Sequence, residues 1–245
     1  MEMKILNDLL NALRQGEIVK DIRQGPFQTA VLTYNCGLAS TLYDYSYHHG
    51  DAPVKEAGRL IGKEALEIAQ MVYSPGLFEA AIGMAAINSL LEVDEGHCLS
   101  LNAGDFIAEK GRNKKIALIG HFPFIPELRR VAKELWVIEQ HPQEEDFAEG
   151  KAESLIPQAD VVGITGTAFT NHTIEHLLGL CRPEAYVIIL GPTAPLSPVL
   201  FNYGVDAISG TKVVNSEAVL RCVSQGATFR QIEGIRLLTM KRSQH

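Results

Sequence analysis

The chain has few of the features that mark disulfide-bonded, zinc-binding or membrane proteins. Its four cysteines, at positions 36, 98, 181 and 222, are scattered, and no Cys-x-x-Cys pair occurs. This spacing argues against a disulfide framework or a zinc knuckle and favours a reducing, cytoplasmic location. No apolar run approaches the roughly 20 residues that a membrane helix needs. Charged and amide side chains interrupt the apolar N-terminus, so we expect no signal peptide.

Positive charge is also scarce. Lysine and arginine number 22 against 29 acidic residues, which gives a net charge of −7, and the basic residues do not cluster. Nucleic acids and acidic membranes need a concentrated basic face, so neither is expected as the main partner. With 46% hydrophobic and 21% charged residues, the chain has ordinary globular composition. We expect a small-molecule ligand as the partner, and a homodimer is compatible with this size and charge.

The first part of the chain predicts strands followed by helices. Apolar residues at helical spacing mark residues 3–14, and short runs at 19–22, 29–34 and 38–43 predict strands. Beyond residue 53 the period changes to that of helices, over 60–72 and 77–91. This order predicts a small α+β domain over residues 1–105.

The second part alternates continuous apolar runs with helical stretches. Such runs suit parallel strands buried between two helix layers, and they occur at 115–120, 135–139, 160–165, 185–190 and 205–209. Helical patterns separate them, at 126–134, 150–156, 173–180, 198–202 and 216–224. We therefore predict an α/β fold with a doubly wound parallel sheet over residues 114–245, joined to the first part through the polar, turn-prone segment 104–114.

The segments that follow the predicted strands carry the candidate site. Ligands of doubly wound sheets bind outside the carboxyl ends of the strands, and these segments are rich in Gly, Pro, Thr and Asn. Glycines let a ligand approach the backbone, while hydroxyl and amide groups hydrogen-bond it. The alternative is that these residues only shape turns and cap helices. The predicted ligand-binding residues are Gly120, Phe122, Thr165, Gly166, Thr167, Thr173, Gly191, Pro192 and Thr193.

Two further residues are candidates for catalysis. Glu139 ends the second predicted strand, where it would bind a hydroxyl group or act as a base, and Asn171 would hydrogen-bond the ligand. The first loop lacks the later glycines of a dinucleotide fingerprint, which disfavours NAD. Glu139 at a strand end keeps S-adenosylmethionine open as a ligand. No serine-hydrolase elbow and no phosphate-binding P-loop occur in the sequence.

Histidines offer a second kind of chemistry. His172, Glu175 and His176 match the H-x-x-E-H pattern of some zinc proteases, but they follow directly on a buried strand, which is the wrong setting for that motif. We keep His172 as a candidate metal ligand, with His121 and His141 near the same edge. A His48-His49 pair predicts either a solvated turn or a metal contact.

A stretch of small residues, 80–88, predicts close helix packing. As an alternative, this helix or the strand end at 34–37 would close the site from above.

Several motifs together resemble a family known as putative heavy-metal chelation proteins. The resemblance rests on Ser74-Pro75-Gly76 with residues 81–91, and on residues 115–120, 139–142, 159–173 and 190–196. It implies an enolase-N-terminal-like domain over 1–105, a Rossmann-like domain over 114–245 and a site between them. It also implies a link to metal-chelator or cofactor metabolism, and Gly as often as His at position 172.

Three functional hypotheses follow. The leading one is an enzyme that acts on a pterin, flavin or siderophore-like metabolite. The second is a non-catalytic protein that binds a metal or a metal chelate, and the third is a methyltransferase-like protein that uses S-adenosylmethionine. A divalent metal or S-adenosylmethionine is the candidate cofactor. A scaffold without any ligand would leave the polar loops empty.

Overall fold

A computed structural model describes residues 3–43 and 52–242. The His48-His49 pair lies outside this range. The α-helices are α1 Lys4–Asn11, α2 Ala65–Ala69, α3 Leu77–Leu90, α4 Ala103–Gly111, α5 Ile125–Val131, α6 Ala152–Leu155, α7 Thr167–Thr170, α8 Ile174–Leu180 and α9 Ser216–Ser224. The strands are β1 Asp21–Gln24, β2 Gln28–Leu32, β3 Cys36–Ser40, β4 Cys98–Leu99, β5 Lys115–Ile119, β6 Glu134–Glu139, β7 Phe147–Ala148, β8 Val161–Thr165, β9 Tyr186–Leu190, β10 Ala207–Val213 and β11 Ile235–Lys241.

The small sheet is antiparallel, in the order β1-β2-β3, and α3 packs on one of its faces. Small residues make this packing close. A Cβ on Gly37 of β3 would lie 2.1 Å from the carbonyl oxygen of Ala85, and one on Gly83 would lie 2.0 Å from the amide nitrogen of Val72. The small-residue stretch therefore packs a helix against a sheet. The helix predicted over 60–72 is shorter, because α2 passes into a 3-10 turn at Gln70–Tyr73.

The large sheet is mostly parallel and has the order β4-β11-β10-β9-β8-β5-β6-β7. The predicted apolar runs form β5, β6, β8, β9 and β10, which confirms the α/β fold. The sequence analysis missed β4, β7 and β11. β4 and β7 have only two residues each, and Arg236 and Thr239 interrupt the apolar run of β11. β11 and β4 add an antiparallel edge to the sheet.

The segment 104–114 is not the turn-rich connection that its polar composition suggested. Most of it forms helix α4, whose Phe106 and Ile107 are buried with residues of β5 and β9. The charged residues that misled the prediction lie at the exposed end of this helix. The division of the chain into domains at this point stays a prediction.

One apolar core runs through both parts of the chain. Ile5 and Leu9 of α1 and Ile87 of α3 belong to the same buried cluster as Phe169 and Leu200 from the second part. On the other face of the small sheet, α9 buries Val219 and Val223 against residues of β2 and β3. The small sheet thus lies between α3 and α9. In the part of the chain that is described, no helix has the length and apolar character needed to cross a membrane.

A glycine pair tests the close packing of α3. We expect Gly83→Ala to lower the free energy of unfolding by about 3 kcal/mol or more, since its methyl group would overlap the backbone of Val72. Gly179→Ala in α8 is the control, because its Cβ would meet nothing within 4 Å. There, the better helix propensity of alanine should add up to about 1 kcal/mol. Urea unfolding measures both, and equal effects would contradict the packing described.

Candidate functional site

The carboxyl ends of β5, β6, β8 and β9 surround a cavity of about 350 Å³. The end of β3 reaches the same cavity through Ser40 and Leu42. The cavity therefore lies where the small sheet meets the large one. Its walls include every predicted catalytic and ligand-binding residue: Gly120, Phe122, Glu139, Thr165, Gly166, Thr167, Asn171, Thr173, Gly191, Pro192 and Thr193. Their binding of a ligand stays a prediction.

Hydroxyl and amide groups from the loop after β8 form one wall. The Oγ1 atoms of Thr165 and Thr167 are 2.9 Å apart, and Thr165 Oγ1 also accepts the amide N–H of Thr167. Asn171 Oδ1 accepts the backbone N–H and the hydroxyl of Thr173, at 3.3 and 2.7 Å, just before α8 begins. The side-chain NH₂ of Asn171 has no hydrogen-bond partner in the described residues and remains a donor for a ligand.

The glycines around the cavity have different structural roles. Gly191 has φ 110°, and a Cβ there would meet nothing within 4 Å, so open space adjoins its backbone. Gly166 was predicted to admit a ligand, but a Cβ there would lie 2.4 Å from the amide nitrogen of Ala194. Its missing side chain makes room for the neighbouring loop rather than for a ligand.

Thr193 joins the two sheets directly beside the cavity. Its side-chain oxygen accepts the amide N–H of Ser40 at 2.8 Å, and it is only 1% exposed. Asn88 of α3 donates to the carbonyl oxygens of Leu38 and Thr193, at 2.8 and 3.2 Å. The segment 34–37 was an alternative for closing the site. The cavity wall instead comes from the other end of β3.

Glu139 and His121 form the opposite rim. Glu139 Oε1 accepts the backbone N–H of His121 at 2.6 Å, and Oε2 accepts that of Gln140 at 3.1 Å. The His121 ring is held in turn, because Nδ1 lies 3.0 Å from Oδ2 of Asp146. Sequence reasoning missed Asp146, which lies in a polar loop beyond β6 with nothing in its pattern to single it out. It also missed Ser40 and Leu42, which only the tertiary fold brings here.

His172 does not line the cavity, and its H-x-x-E-H motif does not form a metal site. The Nε2 atom of His172 lies 2.7 Å from the carbonyl oxygen of Val72, in the N-terminal part. Glu175 accepts the N–H of Ile5, and His176 pairs with Glu153. The three side chains thus diverge. His172 has φ 60°, a backbone conformation that favours glycine, which accounts for the expectation of Gly at this position.

The donor groups of the described residues do not fit a bare metal ion. Within residues 3–43 and 52–242, no three His, Cys, Asp or Glu side chains come together in a group that could hold one. Soft metals prefer thiolates, but burial raises the pKa of the Cys36 and Cys181 thiols to about 12. In the metal-free protein these two thiols therefore stay protonated near neutral pH.

Comparison with known protein families gives two matches, which together cover most of the chain. Residues 102–241 match a family, DUF364, described as "Putative heavy-metal chelation". Residues 6–91 match DUF4213, a second family with the same description. The chain belongs to the DUF364 family. The resemblance inferred from the sequence motifs is therefore confirmed.

One similar protein matches 75% of this chain, and two solved structures match 98% of it. An uncharacterized protein of Methanocaldococcus jannaschii is 28% identical over 191 residues, which cover 75% of this chain and 72% of the relative. A DUF364 protein of unknown function from Desulfitobacterium hafniense has a crystal structure with a TM-score of 0.85, 25% identity, and coverage of 98% of this chain and 97% of its own. A DUF364 structure from Pyrococcus horikoshii, at 21% identity, a TM-score of 0.84 and coverage of 98% and 99%, shares the fold.

A threonine pair tests the junction at Thr193. We expect Thr193→Val to lower the free energy of unfolding by about 1–3 kcal/mol, because it leaves the partly buried N–H of Ser40 without its acceptor. The matched control is Thr211→Val, since the buried Oγ1 of Thr211 has no partner among residues 3–43 and 52–242, and its loss leaves no group there unpaired. Chemical denaturation measures both. A control as destabilising as Thr193→Val would mean that the hydrogen bond to Ser40 contributes nothing.

Proposed function

We propose that this protein binds a compact metal-chelating metabolite, of the pterin, flavin or siderophore-fragment kind, in the cavity between its two sheets. The observation that carries the proposal is the convergence of polar groups with remaining hydrogen-bonding capacity on that cavity. Its lining combines the Asn171 side-chain amide with the Thr165–Thr167 hydroxyl pair and the Glu139 carboxylate. Such groups around a concave site favour a ligand with matching donors and acceptors.

The size of the cavity limits the ligand. At about 350 Å³ it lies at the small end of the range of about 300–1,000 Å³ that is typical of ligand pockets. A bicyclic heteroaromatic ring of the pterin kind suits that volume better than a dinucleotide or a whole siderophore. The ring of Phe122 adds an apolar wall for such a planar molecule.

The chemistry of the walls fits a ring with both donors and acceptors on its edge. The Asn171 NH₂ would donate to a ring nitrogen or carbonyl oxygen. Glu139 keeps free lone pairs after accepting two backbone N–H groups, and these would accept an N–H or O–H of the ligand.

The family description and the donor set support a chelate rather than a bare ion. Because the described residues do not assemble a metal site by themselves, a metal would arrive with ligands of its own. The organic molecule would then supply most of the coordination, and the protein would recognise that molecule.

The contacts of Glu139 and Asn171 favour binding and positioning over proton transfer. Both Glu139 oxygens accept backbone N–H groups, and Asn171 Oδ1 accepts the hydroxyl of Thr173 just before α8. S-adenosylmethionine has weaker support, since Glu139, which would bind its ribose, already accepts the backbone N–H of His121. Catalysis on the bound metabolite stays a prediction from the sequence.

A thermal-shift and calorimetry panel tests this proposal on tag-free protein. The panel holds pterin, lumichrome, 2,3-dihydroxybenzoate, 8-hydroxyquinoline-5-sulfonate and S-adenosylmethionine. A ligand that binds only the folded state at a hundredfold excess over Kd stabilises it by about 2.7 kcal/mol, so a binding compound raises Tm. We expect one of the bicyclic chelators to do so.

The variant Asn171→Asp tests the location of binding. It keeps the oxygen that holds Thr173 but replaces the NH₂ donor, so we expect unchanged stability and a loss of affinity of about tenfold or more. Asn215→Asp is the control, because Asn215 holds the start of α9 in the same way, away from the cavity. Binding of S-adenosylmethionine alone, or no binding by any compound, would contradict the proposal.

A further inference from the structure

His121 is fixed at the rim of the cavity by two carboxylates. Glu139 accepts its backbone N–H at 2.6 Å, and Asp146 Oδ2 lies 3.0 Å from its Nδ1. Glu139 thus fixes the main chain of His121, and Asp146 fixes its ring. Such double restraint is typical of a side chain whose orientation matters, because a free surface imidazole rotates among several rotamers.

Asp146 is buried to an extent that is unusual for a carboxylate. Its side chain is 1% exposed, and its Oδ2 also accepts the N–H of Gln143 at 3.1 Å. Its Oδ1 is buried and has no hydrogen-bond partner among the described residues. A buried unpaired oxygen of this kind costs stability. The position of Asp146 therefore calls for an explanation beyond folding, and orientation of the His121 ring provides one.

The pairing determines which ring nitrogen of His121 is free. A carboxylate oxygen accepts hydrogen bonds, so this pairing assigns the ring proton to Nδ1, which points to Asp146. In the neutral ring Nε2 then holds a lone pair, and this atom has no hydrogen-bond partner in the described residues. His121 lines the cavity, so its ring lies beside any molecule bound there.

A second histidine–aspartate pair provides a comparison. His97 Nδ1 lies 2.9 Å from Asp94 Oδ2, but the two side chains are 77% and 70% exposed. They lie on the surface, away from the cavity around Glu139. The distance alone is therefore not distinctive, whereas a buried carboxylate that aligns a cavity-lining imidazole is.

From this geometry we propose that His121 Nε2 is a ligand to the metal of a chelate bound in the cavity, and that Asp146 is its positioning residue. Metal-binding histidines generally donate their other ring N–H to a carboxylate or carbonyl, which orients the ring and strengthens the donor. One imidazole does not make a metal site, so the chelator supplies the remaining ligands. This inference rests on the proposed function, because it requires a chelator in that cavity.

The test uses the one-to-one complex of Cu²⁺ with 8-hydroxyquinoline-5-sulfonate and tag-free protein. Calorimetry compares the affinity of the complex with that of the metal-free chelator, and pulsed electron paramagnetic resonance detects the remote nitrogen of a copper-bound imidazole. We expect the metal to raise affinity at least tenfold and an imidazole signal to be present. His121→Gln should lose both effects and still bind the metal-free chelator, while His97→Gln should behave like the unaltered protein.

The variant Asp146→Asn tests whether Asp146 orients the His121 ring or only stabilises the fold. It should lower affinity for the copper complex about 10- to 100-fold and shift the quadrupole frequencies of the remote nitrogen, because that nitrogen is His121 Nδ1 and its hydrogen bond sets them. Affinity for the metal-free chelator should not change.

The possible failures differ from one another. An imidazole signal that survives in His121→Gln, or a metal that adds no affinity, overturns the role of His121 and leaves the proposed function standing. If neither the chelator nor its copper complex binds the unaltered protein, both this inference and this choice of ligand class are wrong.

Discussion

The segment around Thr193 joins the two sheets of the molecule, and the rest of the site depends on that junction. The hydroxyl oxygen of Thr193 accepts the amide N–H of Ser40, while its carbonyl oxygen accepts the side chain of Asn88. On the other side, the backbone of Thr193 and Ala194 approaches the loop after β8 so closely that only glycine fits at position 166. Three chain segments therefore pack against one another with almost no free space. This packing sets the distance between the strand ends and the residues that cover the cavity.

This junction explains why the site needs both parts of the chain. The large sheet supplies the strand ends with their hydroxyl, amide and carboxylate groups, whereas β3 supplies the covering residues Ser40 and Leu42. The shared apolar core and the packing of α9 on the small sheet hold these surfaces together. A change in either sheet is thus expected to reach the cavity through packed side chains rather than through a flexible connection.

Much of this arrangement was predictable from local pattern. Buried parallel strands are apolar on both faces, so β5, β6, β8, β9 and β10 were evident, and strand-end loops rich in Gly and Thr indicated the cavity. What depends on tertiary contacts was not predictable. The direction of His172 follows from its φ and from Val72, and the burial of Asp146 follows from the fold of a loop that is polar throughout. Likewise, α4 resembled a linker because Glu109 and Lys110 at its end run into further charged residues, although five of its nine residues are buried.

The most direct test of the central claim is to map a bound ligand onto the backbone by ¹H–¹⁵N NMR. The bicyclic chelator with the largest thermal shift is titrated into labelled protein, and the amide shifts are assigned. The account predicts that the changes centre on Gly120, Thr167 and Gly191, which belong to three different strand ends, with smaller effects at Ser40. A second cavity, lined by Leu101, Phe229 and Leu237, shares Phe122 and Gly191 with the first. Changes centred on Leu101, Phe229 and Leu237, without Thr167 or Ser40, would contradict the assignment of the site.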